Sequence, residues 1–184
     1  MLILAWGTAG VLSAEIDPEP MQAPMQAPMQ VVEEYRLKAA FIASFAGFVE
    51  WPPDVVKNSR DAIEVCVLGE NPFGSALDQA VHGKAIQEHK LTTRRIADVR
   101  QAAGCQILFV SSSERKHLRA ILKEPQLNGV LTVGDTDNFT SEGGVINLQL
   151  ESDRIRILIN VDAAEQGRLR ISSKLLSLAR IVKN

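Results

Sequence analysis

Few residues in this chain are of the kinds that do chemistry, and their spacing excludes most of it. There are two cysteines and three histidines in 184 residues. No Cys-x-x-Cys pair exists, and His82, His89 and His117 fall in unrelated segments, so a zinc ligand set is missing. Gly69 to Ser75 superficially resembles a phosphate loop, an apolar run followed by Gly-x-x-x-x-Gly and a serine. It lacks the lysine that would reach a phosphate, and Glu70 and Pro72 oppose an anion cradle, so a strand-to-helix turn is the better reading. Asp135 and Asp137 lie in Gly-Asp-Thr-Asp, a common turn composition. With no Gly-x-Ser-x-Gly and no cysteine beside a histidine base, nothing assembles a nucleophile, a base and an oxyanion donor. No catalytic residue, no metal and no cofactor are expected.

Two sets of residues are more suggestive. Arg170, Ser172, Ser173 and Lys174 precede an apolar helical pattern, with Leu175, Leu178, Ala179 and Val182 on one stripe and Arg180 and Lys183 in the last turn. Ser172 or Ser173 can cap this helix. Lys174 stands at the wrong end of its dipole, where it is either a solvated lysine or part of a candidate anion site with Arg170 and the serine amides. Upstream lies a hairpin. If Ser152 and Asp153 form its loop, Ile146, Leu148 and Leu150 face Ile159, Ile157 and Ile155 on one side, while Gln149 and Glu151 face Arg156 and Arg154 on the other. A four-residue turn stays open, because Ser-Asp is not a favoured two-residue loop. The charged outer face, Gln149, Glu151, Arg154 and Arg156, is a candidate partner surface.

The elements that position these residues follow from pattern. A net charge of −2 and 46% hydrophobic content fit one domain with a proper core and argue against a nucleic-acid surface. Residues 1–14 read as the apolar core of a signal peptide lacking its basic start, and residues 15–30, with the Met-Gln-Ala-Pro repeat, as a disordered linker before a domain over 31–184. Val31–Glu50 reads as a helix with Leu37, Phe41, Phe45 and Phe48 on one face, widened by Ile42 and Val49, and ended by Trp51-Pro52-Pro53; part of that face is open to a subunit or partner contact. Strands over Ala62–Leu68, His89–Ile96, Cys105–Val110 and Gly129–Val133 alternate with helices at Ser75–Val81, Asp98–Ala103 and Ser113–Lys123. This implies an α/β fold: a mainly parallel sheet flanked by helices on both faces, with a C-terminal antiparallel hairpin. In a doubly wound order the strands of Cys66 and Cys105 are neighbours, close enough for a disulfide in an oxidising compartment; in a reducing one the pair stays as core thiols.

Taken in order, these residues resemble the YfiR (HmsC-like) family. The resemblance rests on Lys38-Ala39-Ala40-Phe41-Ile42, Phe45 to Pro52, Cys66-Val67-Leu68-Gly69, Asn71-Pro72-Phe73-Gly74, Cys105 to Ser111, Leu131 to Asp135, Gly143-Gly144 and Leu169 to Leu176. It implies a periplasmic, non-enzymatic regulator, a homodimer that represses an inner-membrane diguanylate cyclase of the YfiN type and is sequestered by an outer-membrane lipoprotein of the YfiB type. The family's cysteine pair maps onto Cys66 and Cys105; a second pair found in some members is absent. The alternative is a periplasmic sensor of a small anion or metabolite, serving another membrane receptor such as a histidine kinase.

Overall fold

The computed structural model describes residues 29–57, 62–86 and 88–183. The expected signal peptide and nearly all of the expected linker lie outside them. The linker does not reach residue 30, because helix α1 spans Met29–Phe45. Pro28 is the last proline of the repeat, and past it nothing blocks the helical ladder.

Helix α1 is also shorter at its far end than the sequence suggests. Backbone turns from Gly47 to Ser44 and from Phe48 to Phe45 close it, and Val49–Glu50 becomes strand β1. Of the expected face, Ile42, Phe45 and Val49 are buried and Phe41 and Phe48 half-buried, while Leu37 is exposed; Lys38, Ala39, Ala43 and Ala46 complete the buried side. Three of these are alanines, whose small side chains leave room for the Phe45 ring in the core. A short helix α2 (Pro53–Lys57) follows, starting on a proline whose missing N–H costs nothing there.

The sheet contains β2 (Ala62–Leu68), β3 (Ala85–Ile86), β4 (His89–Ile96), β5 (Ile107–Val110), β6 (Leu131–Gly134), β7 (Ile146–Glu151), β8 (Arg154–Asn160) and, after β9 (Arg170–Ile171), β10 (Arg180–Val182). Their spatial order is β10, β8, β7, β6, β5, β2, β4, β3, while β1 pairs with β9 separately. From β4 through β7 all neighbours are parallel; β3 on β4 and β8 on β7 are antiparallel. Helices α3 (Ala76–Val81), α4 (Leu118–Ile121), α5 (Val161–Gln166) and α6 (Ser173–Leu178) complete the chain. The expected helix over Ser113–Lys123 divides into a tight turn at Ser112–His117 and the single turn of α4.

Alternation along the strands separates two cores. On β2, Val65 and Val67 point to the face covered by α1 and α3, where Phe45, Phe73 and Phe109 pack. Cys66 and Leu68 point to the opposite face, with Leu108, Leu118, Ile121 and Phe139. The α/β architecture with helices on both faces is therefore the one the patterns implied.

The hairpin register is the expected one, from Ile146 with Ile159 to Glu151 with Arg154. Ser152 and Asp153 both take positive φ, 47° and 61°, so the two-residue loop prevails. The C-terminal helix is a correction. It ends at Leu178, and Arg180–Val182 instead pairs in parallel with Leu158–Asn160 of β8. The β-branched Ile181 and Val182 satisfy a strand edge that a helix would leave unpaired. Leu178, expected to be buried, is 74% exposed.

Candidate functional site

Beyond β10 the outer side of β8 opens into a groove of about 830 Å3. Its floor is Arg154–Ile157; Phe41 of α1 and Ser177 to Arg180 form the walls, and Glu151 and Ser152 close the hairpin end. Of the expected partner surface, Glu151, Arg154 and Arg156 line this groove, whereas Gln149 lies outside it and donates to the Asp137 carbonyl at 3.4 Å. Arg156 pairs with Glu151. Arg154 and Arg180 have no ion-pair partner among the described residues, so the groove carries uncompensated positive charge in a chain of net charge −2. Phe41 belongs to the helix face left open to a partner contact, whereas Leu178 and Arg180 are not legible as groove residues because they fit a helical stripe and its last turn; the one signal against that helix is Ile181-Val182, a strand-forming pair.

The expected anion residues occupy different elements. Ser172 Oγ is used as the cap of α6, accepting from the Leu175 amide at 3.3 Å. Arg170 sits on β9 opposite Glu50, and Arg170, Ser173 and Lys174 are exposed. Ser172 alone lines a second cavity of about 420 Å3, with Phe48, Trp51, Ile63, Ile86 and His89. The Leu169–Leu176 segment thus acts first on the fold: β9 holds β1, and Ser172 caps α6. Ser172→Ala is expected to cost about 1 kcal/mol in chemical denaturation, the usual loss of an N-cap, with Lys174→Ala neutral; equal midpoints for Ser172→Ala and wild type would refute the capping role.

The other family-like segments meet in the interior. Lys38 Nζ lies 2.8 Å from Asp135 Oδ2, both side chains only 3% exposed, and 2.5 Å from Glu34 Oε1. Tyr35 donates to the same Asp135 oxygen at 2.8 Å, its ring 4.6 Å from the ammonium. Burial, then the neighbouring Asp135 charge, push the Tyr35 hydroxyl well above the usual tyrosine range. Trp51 donates to the Gln106 carbonyl at 3.1 Å, and the Gln106 side chain accepts from the Glu64 amide at 2.7 Å. Cys66 and Cys105 form a disulfide with Cα atoms 5.9 Å apart. Beside it, Arg94 bridges Glu64 at 2.8 Å and Cys105 Sγ at 3.4 Å.

The YfiR/HmsC-like family model matches residues 35–180, from the first core contact of α1 to the strand that closes the sheet. The chain belongs to the YfiR/HmsC-like family. At family level, YfiR/HmsC-like proteins are periplasmic regulators of diguanylate cyclases. No curated protein matches the chain in sequence. Among solved structures it is similar to a conserved domain protein from Vibrio cholerae O1 biovar eltor, at 12% identity and a TM-score of 0.51, over 71% of this chain and 58% of that one. It is also similar to an ABC domain from Streptococcus pneumonia in complex with L-Trp, at 8% identity and a TM-score of 0.50, over 78% of this chain and 60% of that one. The chain spans about three-fifths of the length of both structures, and at such identities the likeness concerns the α/β fold alone. Among the described residues no helix is long and apolar enough to cross a membrane.

Proposed function

We propose that this YfiR-like protein is a periplasmic repressor that binds the periplasmic domain of an inner-membrane diguanylate cyclase and restrains cyclic di-GMP synthesis, and with it biofilm and exopolysaccharide output. The observation that carries this reading is the family match over residues 35–180, which spans nearly the whole folded domain. The exposed, positively charged groove beside β8 supports it as a surface suited to another protein. Repression requires tighter binding to the inactive than to the active cyclase; about 1.4 kcal/mol of difference shifts that equilibrium tenfold. An outer-membrane lipoprotein of the YfiB type is the expected competitor, and the repressor is expected to act as a homodimer. Deleting the gene should raise cellular cyclic di-GMP, and restoring it in trans should lower it again. An unchanged level in the deletion strain would sink the repressor reading.

A second reading, a small-ligand sensor, draws on the cavity that joins the Phe48, Trp51 and Ile86 surfaces to His89 and Ser172. Its apolar surface from Phe48, Trp51, Ile63 and Ile86 is matched by polar surface around Glu50, His89, Gln106 and Ser172, a mixed lining that suits a small metabolite, whose binding would raise the thermal midpoint of the purified protein.

A further inference from the structure

The hairpin leaves part of β8 with an unused backbone edge. In a two-residue hairpin the pair flanking the loop, Glu151 and Arg154, is hydrogen-bonded, and the next pair, Leu150 and Ile155, turns its N–H and C=O groups outward. On the outer side, β10 covers β8 only from Leu158 to Asn160. The outward groups of Ile155 therefore face the groove, with no strand beside them among the described residues. Just before β10 comes α6, whose last residues Ser177 and Leu178 line the groove together with Arg154–Ile157 of β8.

We infer that this groove accepts an extended acidic segment of a partner protein, which adds as a strand to the β8 edge at Arg154–Ile157 in line with β10. Backbone bonding to Ile155 would supply affinity independent of sequence, and the side-chain rows would supply choice. One row of the added strand would meet Phe41 and Leu178; Leu178 is 74% exposed. Arg154 and Arg180, without ion-pair partners, would select carboxylates. The same charges disfavour a second copy of this chain on this edge, because self-pairing would bring like guanidinium groups together. The inference rests on the repressor reading for the partner's identity, but not for the chemistry of the groove.

Two experiments separate these. The folded protein is titrated with a capped peptide of alternating Glu and Val, and with its Lys-Val counterpart, while amide exchange is followed by NMR. The Glu-Val peptide should slow exchange at the Ile155 amide, and its affinity should fall at least about tenfold on charge reversal by Arg154→Glu with Arg180→Glu. Ile155→Pro, which removes the outward donor and leaves the β7 pairing, should weaken it as well. Unchanged exchange at Ile155, or equal binding of the Lys-Val peptide, overturns the inference. In the second arm, tagged wild-type protein and the Arg154→Glu/Arg180→Glu variant are tested for co-purification of a membrane diguanylate cyclase. Capture by wild type and loss in the variant supports the inference. Equal capture by both overturns it and leaves the repressor reading standing. No capture by wild type defeats the repressor reading, and the peptide titration then decides the groove alone.

Discussion

Lys38→Ala will destabilise the protein by about 3–5 kcal/mol, the cost of leaving a buried carboxylate without its cation. The lysine is 3% exposed and is held between Glu34 and Asp135, so water cannot take over its role. Asp135 also accepts the Tyr35 hydroxyl, and Tyr35 packs edge-on against Phe73, so the loss spreads from a charge pair into the aromatic core. The double variant Lys38→Met with Asp135→Leu should recover much of the stability, since the fully buried carboxylate goes with its cation; the Glu34 carboxylate, left without Lys38, and the orphaned Tyr35 hydroxyl keep the recovery incomplete. Urea denaturation of the wild type and the two variants measures this. A loss below about 1 kcal/mol for Lys38→Ala, the range of a surface ion pair, would show that the pair is solvated.

The same cluster gives a signed pH dependence. The folded state holds the Tyr35 proton more tightly than the unfolded chain does, because burial and Asp135 oppose the phenolate. A group whose pKa is raised on folding contributes stability fully below its unfolded pKa and loses it as pH rises toward the folded value. Stability should therefore fall above about pH 10, where unfolded tyrosine ionises, and Tyr35→Phe should remove that part of the fall. Tyr35 is the chain's only tyrosine, so tyrosinate absorbance reports this site directly. Ionisation of the native protein at the ordinary tyrosine pH would contradict the buried contact.

What could be read from the sequence depended on whether a residue's environment is local. The hairpin was legible because its period of two and its loop length determine which side chain faces which, and Ile146 to Glu151 keep that register. Strand β2 has the expected bounds because an apolar run ending at a glycine needs no distant information, and β4, mostly polar with Leu91 and Ile96 buried, keeps its expected bounds too. The C-terminal helix failed for the opposite reason. Leu175, Leu178, Ala179 and Val182 satisfy a helical stripe, yet the free side of β8 exists only once the sheet has formed, and Arg180–Val182 is taken by it. The apolar face of α1 was legible in Ile42, Phe45 and Val49, which are buried, but periodicity alone did not show that Lys38, Ala39, Ala43 and Ala46 share the buried face or that Leu37 lies outside it. For the site, Glu151, Arg154 and Arg156 could be placed on one face from the hairpin alone. Phe41 and Arg180 could not, because the groove joins elements far apart in sequence. Arg170 and Lys174 looked like an anion site in one dimension; in three, β9 and the cap of α6 separate their tasks.

Removing the disulfide by Cys66→Ala with Cys105→Ala should cost about 4 kcal/mol, from the closure entropy of a loop of this length. The two cysteines are 39 residues apart, and the bridge ties β2 to the turn that precedes β5, enclosing α3, β3 and β4. The sheet pairs Cys66 with Leu108 rather than with Cys105, so backbone bonding does not duplicate the covalent link. Without it, β2, which carries β4 on its other side, should separate more readily from β5. Alanine is the right replacement, because both sites are at most 1% exposed and serine would bury a hydroxyl among Leu108, Val110 and Ile96. Reductant should lower the denaturation midpoint of wild type to that of the double variant and leave the variant unmoved. The intact mass of the oxidised protein should lie about 2 Da below the free-thiol value, the two hydrogens lost when one S–S bond forms. Coincident midpoints for wild type and variant under oxidising conditions would show that the bridge adds no stability, and the packing around Arg94 and Glu64 would then have to hold this end of the sheet by itself.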